Sequence, residues 1–172
     1  MKAMPLFWRR GFSDTGLDDL EKVTGLNQSD LRSEFGSKED IFVATLRHYY
    51  LNRGGTAPLV AEPLGWNNIE SFLRLVAEGF LGGLNGCFAV NTLRELELLP
   101  PEVNSIVTES RAKLVQLFKD NIAAEKTKTT PDILANVLSI FLSGFCIEQN
   151  LKTSLDSRVR KIEDLMLVMR SM

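Results

Sequence analysis

The sequence is poor in the residues that build metal centres, disulfides and hydrolytic sites. Its 172 residues include one histidine, His48, and two cysteines, Cys87 and Cys146. No spacing of His, Cys and carboxylate residues suggests a metal site, and no serine or cysteine has a base nearby in sequence. We therefore expect no metal, no cofactor and no enzymatic activity. The two cysteines lie in apolar segments, where buried thiols are expected rather than a disulfide.

Long apolar runs are also missing. Charged residues or glycines interrupt every apolar run well before it reaches membrane-spanning length. The N-terminus has no signal-peptide pattern. We therefore expect a cytoplasmic protein with no membrane partner.

An excess of positive charge is absent as well. The chain has 20 Lys and Arg against 22 Asp and Glu, and residues 1–53 hold eight of each sign. A nucleic-acid-binding domain is usually basic. Binding to phosphates would therefore depend on the local placement of a few residues, for which the candidates are Arg9, Arg10, Arg32 and Lys38.

No strand pattern occurs, and the N-terminal part of the sequence predicts short helices instead. Thr15 is the predicted N-cap of one helix, which Gly25 ends. Asn27 is the predicted cap of a second helix over residues 28–34, and Ser37 starts a third. Two short helices across a glycine-containing turn form a helix-turn-helix unit, whose second helix can enter a DNA major groove.

The rest of the chain predicts a connector followed by longer helices. Residues 53–65 are rich in glycine and proline and are not expected to be helical. The apolar spacing beyond them predicts helices that start at Asn67 or Asn68 and that cover residues 87–98, 101–124, 132–152 and 157–169.

Residues 6–42 resemble the DNA-binding domain of TetR-family transcriptional regulators. The resemblance rests on Gly11, Phe12, Thr15, Gly25 and the Phe-x-Ser-Lys-Glu element at 35–39. Residues 85–103 are similar to a Gly-Cys-x-x-x-Asn stretch in the ligand-binding part of some members. The resemblance implies an all-α protein in which residues 1–53 bind DNA and residues 54–172 bind a ligand and dimerise. The family usually has a longer first helix, so either that helix starts upstream or about two turns have been lost.

The predicted DNA contacts lie on the outward side of the helix-turn-helix unit. Arginine can bridge guanine or clamp a phosphate, while glutamine and serine can read base edges. The predicted contact residues are Thr15, Gln28, Ser29, Arg32, Ser33 and Lys38. The opposing interpretation is a solvated surface, which is favoured by the acidic Asp30 and Glu34 of the same helix and by Arg32 where the family often has an aromatic residue.

The segments after the connector carry the candidate ligand-binding residues. Ligand pockets are mostly apolar, with a few polar groups that fix orientation. The predicted set consists of Phe72, Phe80, Cys87, Phe88, Asn91, Glu95, Phe118, Phe141 and Phe145. For each aromatic residue the alternative is ordinary core packing.

The last two predicted helices have wide apolar faces, which need a partner in a chain of this length. The resemblance implies a homodimer in which these helices and their copies form a four-helix bundle. The predicted dimerisation residues are Val137, Phe141, Ile162, Leu165, Met166 and Met169.

Together with the helix pattern, the resemblance implies a homodimeric transcriptional repressor that a small apolar or aromatic effector releases from double-stranded operator DNA. Two alternatives stay open. One is a ligand-binding or protein-interaction dimer of the same fold whose DNA binding is weakened or lost. The other is a thiol-based redox sensor that acts through Cys87.

Overall fold

The computed structural model describes residues 2–51, 54–79, 84 and 86–172. This part of the chain is helical and contains no strand, which confirms the predicted all-α class. In chain order the α-helices are α1 Met4–Arg10, α2 Leu17–Thr24, α3 Gln28–Phe35, α4 Lys38–Leu51, α5 Trp66–Glu78, α6 Phe88–Thr92, α7 Pro101–Ala123, α8 Pro131–Glu148 and α9 Leu155–Ser171. Segments of 3₁₀ helix lie at Gly54–Val60, Leu93–Leu98 and Gln149–Leu151.

The predicted start and stop signals of the helix-turn-helix unit are mostly confirmed. Gly25 ends α2 in the left-handed conformation, with φ 81°. The Asn27 side chain caps α3 by accepting the N–H of Asp30 at 2.9 Å. Ser37 and Asp40 form a reciprocal capping box before α4, with Ser37 N to Asp40 Oδ2 at 2.9 Å and Asp40 N to Ser37 Oγ at 3.1 Å.

The predicted cap of α2 was wrong. Gly16, not Thr15, is the N-cap, and its N–H donates to the Asp19 carboxylate at 3.2 Å. Thr15 is fully buried, and its hydroxyl donates to the carbonyl of Gly11 at 2.7 Å. Because the Thr15 hydroxyl is used in this bond to Gly11, the next residue, Gly16, takes the N-cap position of α2.

Two boundaries near the connector differ from the sequence prediction. The connector includes a 3₁₀ segment, Gly54–Val60, which accommodates Pro58 because such short turns need few backbone donors. Helix α5 begins at Trp66, ahead of the predicted asparagine caps. The Glu125 carboxylate accepts the N–H of Trp66 at 2.8 Å and supplies the acceptor that a cap would provide.

Two further boundaries differ in the C-terminal half. The helix predicted over residues 87–98 divides into α6 and a 3₁₀ segment. The Thr92 hydroxyl donates to the carbonyl of Phe88 at 2.9 Å, a back-bond that bends helices. Helix α9 begins before residue 157 because Ser154 caps it, accepting the N–H of Ser157 at 3.2 Å.

Packing divides the chain into two compact units. Unit 1 consists of residues 1–52 and 87–109, and unit 2 consists of residues 53–86 and 110–172. The structure thus groups residues 87–109 with the N-terminal helices, whereas the sequence division was drawn at residue 53. The assignment of DNA binding and ligand binding to separate regions stays a prediction.

Unit 1 has an aromatic core. The Phe42 ring lies 5.0 Å from that of Phe7, 5.5 Å from that of Phe12 and 5.5 Å from that of Phe88, all edge to face. Leu20 of α2 and Leu31 of α3 are also fully buried. The core therefore holds the helix-turn-helix unit and α6 in one packed body.

Unit 2 is organised around α7. Phe118 of α7 packs edge to face on Phe72 of α5, with ring centroids 5.7 Å apart. The buried Asn121 accepts the N–H of Gly65 at 3.0 Å and donates to the carbonyl of Leu59 at 2.8 Å. One amide side chain thereby joins the 3₁₀ segment and the start of α5 to α7.

Candidate functional site

The outward face of α3 is the candidate nucleic-acid interface. Leu31 anchors the inner side of the helix and has no exposed surface, while Ser29, Arg32 and Ser33 are exposed. Within the described part of the chain, no hydrogen bond or ion pair engages the Arg32 guanidinium. Its five N–H donors are therefore available for a phosphate or a base edge.

Gln28 connects α3 to α2. Its Nε2 donates to Asp18 Oδ1 at 2.6 Å, and its backbone N–H donates to Glu21 Oε1 at 2.7 Å. The side chain is half-buried. Gln28 thus helps to fix the start of α3.

The acidic residues of α2 have local partners. Asp18 and Glu21 accept from Gln28, while Asp19 accepts from Gly16 and pairs with Arg10 at 3.1 Å. The N–H of Gly16 acts most strongly and Arg10 adds to it, so the pKa of Asp19 is held below its usual value. Some of the carboxylates that balance the positive charge of this region therefore have structural roles, in capping α2 and in joining α2 to α3.

Lys38 and Thr15, both predicted DNA contacts, have structural partners instead. Lys38 Nζ donates to the carbonyls of Phe12 at 3.0 Å and Thr15 at 3.1 Å, and it lies 4.0 Å from the centroid of the Phe12 ring. The Thr15 side chain is fully buried. In this conformation Thr15 cannot reach DNA, and Lys38 binds the loop between α1 and α2.

Glu95, predicted in the ligand-binding set, binds the same loop. Its Oε2 accepts the N–H of Phe12 at 2.7 Å, and its Oε1 accepts the N–H of Ser13 at 3.0 Å. Burial acts most strongly and opposes ionisation, but the two N–H groups and the charge of Lys38 outweigh it and lower the pKa of Glu95. Sequence reasoning missed this role because the partners lie more than eighty residues apart.

The predicted ligand-binding residues are divided between the two units. Cys87, Phe88, Asn91 and Glu95 belong to unit 1, whereas Phe72, Phe118, Phe141 and Phe145 belong to unit 2. Phe80 lies outside the described residues. Phe88 is a core residue, 1% exposed, whose ring packs on those of Trp8 and Tyr49. In unit 2, Phe141 is half-buried and stacks on the buried Phe145 with centroids 5.5 Å apart.

The two cysteines differ in their surroundings. Cys146 is buried in α8, as predicted, but Cys87 is only half-buried. The Cys87 sulfur lies 3.1 Å from the hydroxyl of Tyr49. Neither forms a disulfide within the described residues, among which no group of three or more His, Cys, Asp and Glu side chains is placed to hold a metal ion.

One face of α8 and of the 3₁₀ turn after it is apolar and exposed. Its members recur at helical spacing and are Ile133, Val137, Ile140, Ile147 and Leu151. Gly144 lies on the same face, and a Cβ atom added there would have no atom within 4 Å. By length and composition alone, residues 131–151 could cross a membrane, with a mean hydropathy of 1.4. We refer to this face as the α8 stripe.

The predicted dimerisation residues occupy different faces. Val137 lies on the α8 stripe, and Phe141 and Leu165 are half-buried. The structure places Ile162, Met166 and Met169 inside the chain's own core, with exposures of 0%, 3% and 1%, while Leu167 and Val168 are the exposed apolar residues of α9. Apolar spacing identified the helices but could not tell which face packs within the chain.

Solved structures resemble this fold over most of its length. A cysteine variant of the TetR family transcriptional regulator CifR, complexed with 26-base-pair operator DNA, has a TM-score of 0.83 and 23% identity over 96% of this chain and 92% of that chain. The reduced form of E. coli NemR has a TM-score of 0.78 and 20% identity over 95% of this chain and 92% of that chain. A TetR-family transcriptional regulator from Agrobacterium tumefaciens has a TM-score of 0.85 and 14% identity, covering 95% and 91%.

Sequence comparison gives a shorter match. The HTH-type transcriptional repressor ComR of Escherichia coli strain K12 is 46% identical over 48 residues, which are 28% of this chain and 23% of ComR. The match thus spans about a quarter of that relative. No family model matches the chain.

The capping box before α4 generates a pH prediction. The Ser37 hydroxyl is the main cause of the lowered pKa of Asp40, followed by the Ser37 N–H. Since the pKa of Asp40 is lower in the folded protein, the capping box stabilises α4 at pH values above the ordinary pKa of 3.8, and this contribution is lost as the pH falls through the folded pKa.

We expect Ser37→Ala to raise the pKa of Asp40 in a carboxyl-carbon NMR titration. Ser33→Ala, on the exposed face of α3, is the matched control, and an unchanged Asp40 titration in Ser37→Ala would contradict the assignment.

Proposed function

Because this chain has the fold of TetR-family transcriptional regulators, we propose that it is a homodimeric DNA-binding regulator that places α3 in the major groove. The observation that carries the proposal is the outward face of α3, where Ser29, Arg32 and Ser33 are exposed on a helix anchored by Leu31. CifR, a relative in fold, is described in complex with operator DNA. The proposed mode of regulation is repression, in line with the name of ComR.

Arg32 is the side chain best placed to contribute affinity. It is charged, exposed and without a partner among the described residues, whereas Arg10 is paired with Asp19 and Lys38 binds the loop before α2. The Asp19 and Glu21 carboxylates already accept hydrogen bonds from the protein. Arg32 therefore offers an open cation on α3, while these two carboxylates of α2 are held by partners within the protein.

The effector is proposed to be small and apolar or aromatic. Phe141, half-buried beside Phe145, presents ring surface of the kind that such molecules stack on. An effector shifts the population only by binding one conformation better than the other. Operator DNA and effector should therefore weaken each other's binding by the same factor.

The DNA-binding proposal predicts a loss of affinity in Arg32→Ala. We expect affinity for DNA from the chain's own upstream region to fall roughly tenfold or more, since a good base contact contributes about 1–3 kcal/mol. Fluorescence anisotropy at low and at physiological salt measures this. Arg160→Ala is the control, because it removes the same charge from an exposed residue of α9 in unit 2.

The outcomes of this titration separate the alternatives. Sequence-dependent binding that Arg32→Ala weakens and Arg160→Ala does not would support the regulator. If the wild-type chain binds no DNA, or binds every sequence equally even at low salt, the alternative of a dimer that has lost DNA binding replaces it.

A second copy of the chain is the proposed cover for the α8 stripe. The stripe extends over five turns of helix, and Ile140 and Leu151 are 68% and 74% exposed. Monomeric proteins rarely leave such a contiguous apolar face in water. At Gly144 the missing side chain leaves room for a neighbouring helix to approach.

Gly144→Glu tests the dimer without damaging the monomer. A side chain at this position meets nothing in the chain, and replacing glycine inside a helix favours the helix by about 0.5–1 kcal/mol. We expect the folded variant to sediment as a monomer at concentrations where the wild type is a dimer. Ala112→Glu, at an exposed position of α7 in unit 2, should stay dimeric. A monomeric wild type, or one that instead floats with lipid vesicles, would overturn the proposal.

A thiol-based regulator is a second candidate function. The observation that favours it is the Tyr49 hydroxyl 3.1 Å from the half-buried Cys87 sulfur, a contact in which either group can donate. A hydroxyl in this place can donate to the thiolate, which is the reactive form. Among the relatives in fold, CifR is described as a cysteine mutant and NemR in its reduced form.

Alkylation of the native protein tests this candidate. We expect iodoacetamide to modify Cys87 faster than the buried Cys146, as measured by peptide mass spectrometry, and Tyr49→Phe to slow the reaction at Cys87. Operator affinity is then compared before and after modification. A Cys87 that reacts only after unfolding would end the thiol candidate.

A further inference from the structure

The loop from Gly11 to Thr15 joins α1 to α2 and is held by two charged side chains. Lys38 donates to the carbonyls of Phe12 and Thr15. Glu95 accepts the N–H groups of Phe12 and Ser13. Both charged side chains are half-buried, and hydrogen bonds with one ionised partner are the stronger kind.

The loop is shaped to receive the carboxylate. Gly11 has φ 86°, and a Cβ atom there would overlap Glu95 Oε2. The absence of a side chain at Gly11 therefore gives the Glu95 carboxylate the space to reach two successive N–H groups.

We refer to the contacts of Lys38 and Glu95 with this loop as the clasp, which fixes the elements that flank α3. The loop leads directly into α2 through the Gly16 cap, and Lys38 is the first residue of α4. Helix α3 lies between α2 and α4 in the chain, so holding the start of both restricts where α3 can sit. The segment that carries Glu95 has a further contact with α1, because Asn91 Nδ2 donates to the carbonyl of Trp8 at 3.4 Å.

We propose that Glu95 is a positioning residue through which the segment 87–98 sets the orientation of the helix-turn-helix unit for DNA. This inference rests on the proposed function. A change in that segment that withdraws Glu95 frees two N–H groups of the loop and loosens the start of α2. The binding-competent arrangement is then less populated, and DNA affinity falls by the same fraction.

Two variants and a matched control test the clasp. Glu95→Gln keeps the shape and one acceptor, whereas Glu95→Ala removes both acceptors. Glu97→Gln changes an exposed residue of the same 3₁₀ segment and serves as the control. Amide hydrogen exchange in the DNA-free protein and anisotropy with operator DNA are measured on all of them, well below their unfolding midpoints.

We expect exchange at the Phe12 and Ser13 amides to be about tenfold faster in Glu95→Ala and intermediate in Glu95→Gln. Operator affinity should fall about tenfold in Glu95→Ala, within the usual range of coupling between sites. In the wild type the two amide proton shifts should follow the titration of one carboxyl group, a signature that disappears in Glu95→Gln and persists in Glu97→Gln.

The readouts distinguish the possible failures. If the wild type binds DNA and Glu95→Ala binds equally well, the positioning role is overturned while the regulator stands. Unchanged exchange at Phe12 and Ser13 in Glu95→Ala would overturn the clasp itself. A wild type that binds no DNA would overturn the proposed function, and the positioning role would fall with it.

Discussion

The Phe42 ring is the contact on which the organisation of unit 1 depends. It touches rings from α1, from the loop before α2 and from α6, so one side chain of α4 unites segments that are distant in sequence. The contact with Phe88, which also packs on Trp8 and Tyr49, holds residues 87–98 against the N-terminal helices. Glu95 belongs to that segment, so the aromatic packing helps to bring its carboxylate to the loop backbone.

Local signals explain what the sequence predicted well. Gly25, Asn27 and Ser37 act through bonds that span a few residues, so their roles in ending and capping helices follow from residue type and spacing alone. The caps that failed have a different origin. The N–H of Trp66 donates to Glu125, which lies almost sixty residues away in the chain, and no local sequence pattern predicts such a partner.

The candidate sites show the same limit. Exposure of Ser29, Arg32 and Ser33 could be predicted because an amphipathic helix has only one apolar side. The roles of Lys38 and Glu95 could not, because both depend on the fold of a loop that neither belongs to. On α9 the apolar residues form more than one face, and spacing cannot decide whether Met166 or Leu167 points inward.

The loop glycine at position 11 also constrains how this protein can vary. Two independent requirements meet there, a positive φ and the space taken by the Glu95 carboxylate. Substitution of Glu95 would remove only the second requirement, so the positive φ would still favour glycine at position 11. A side chain at position 11 would strain the backbone and push the Glu95 carboxylate away from the two N–H groups that it binds. The backbone conformation of Gly11 and the contacts of Glu95 are therefore linked, because any substitution at position 11 strains the loop and displaces the carboxylate that holds it.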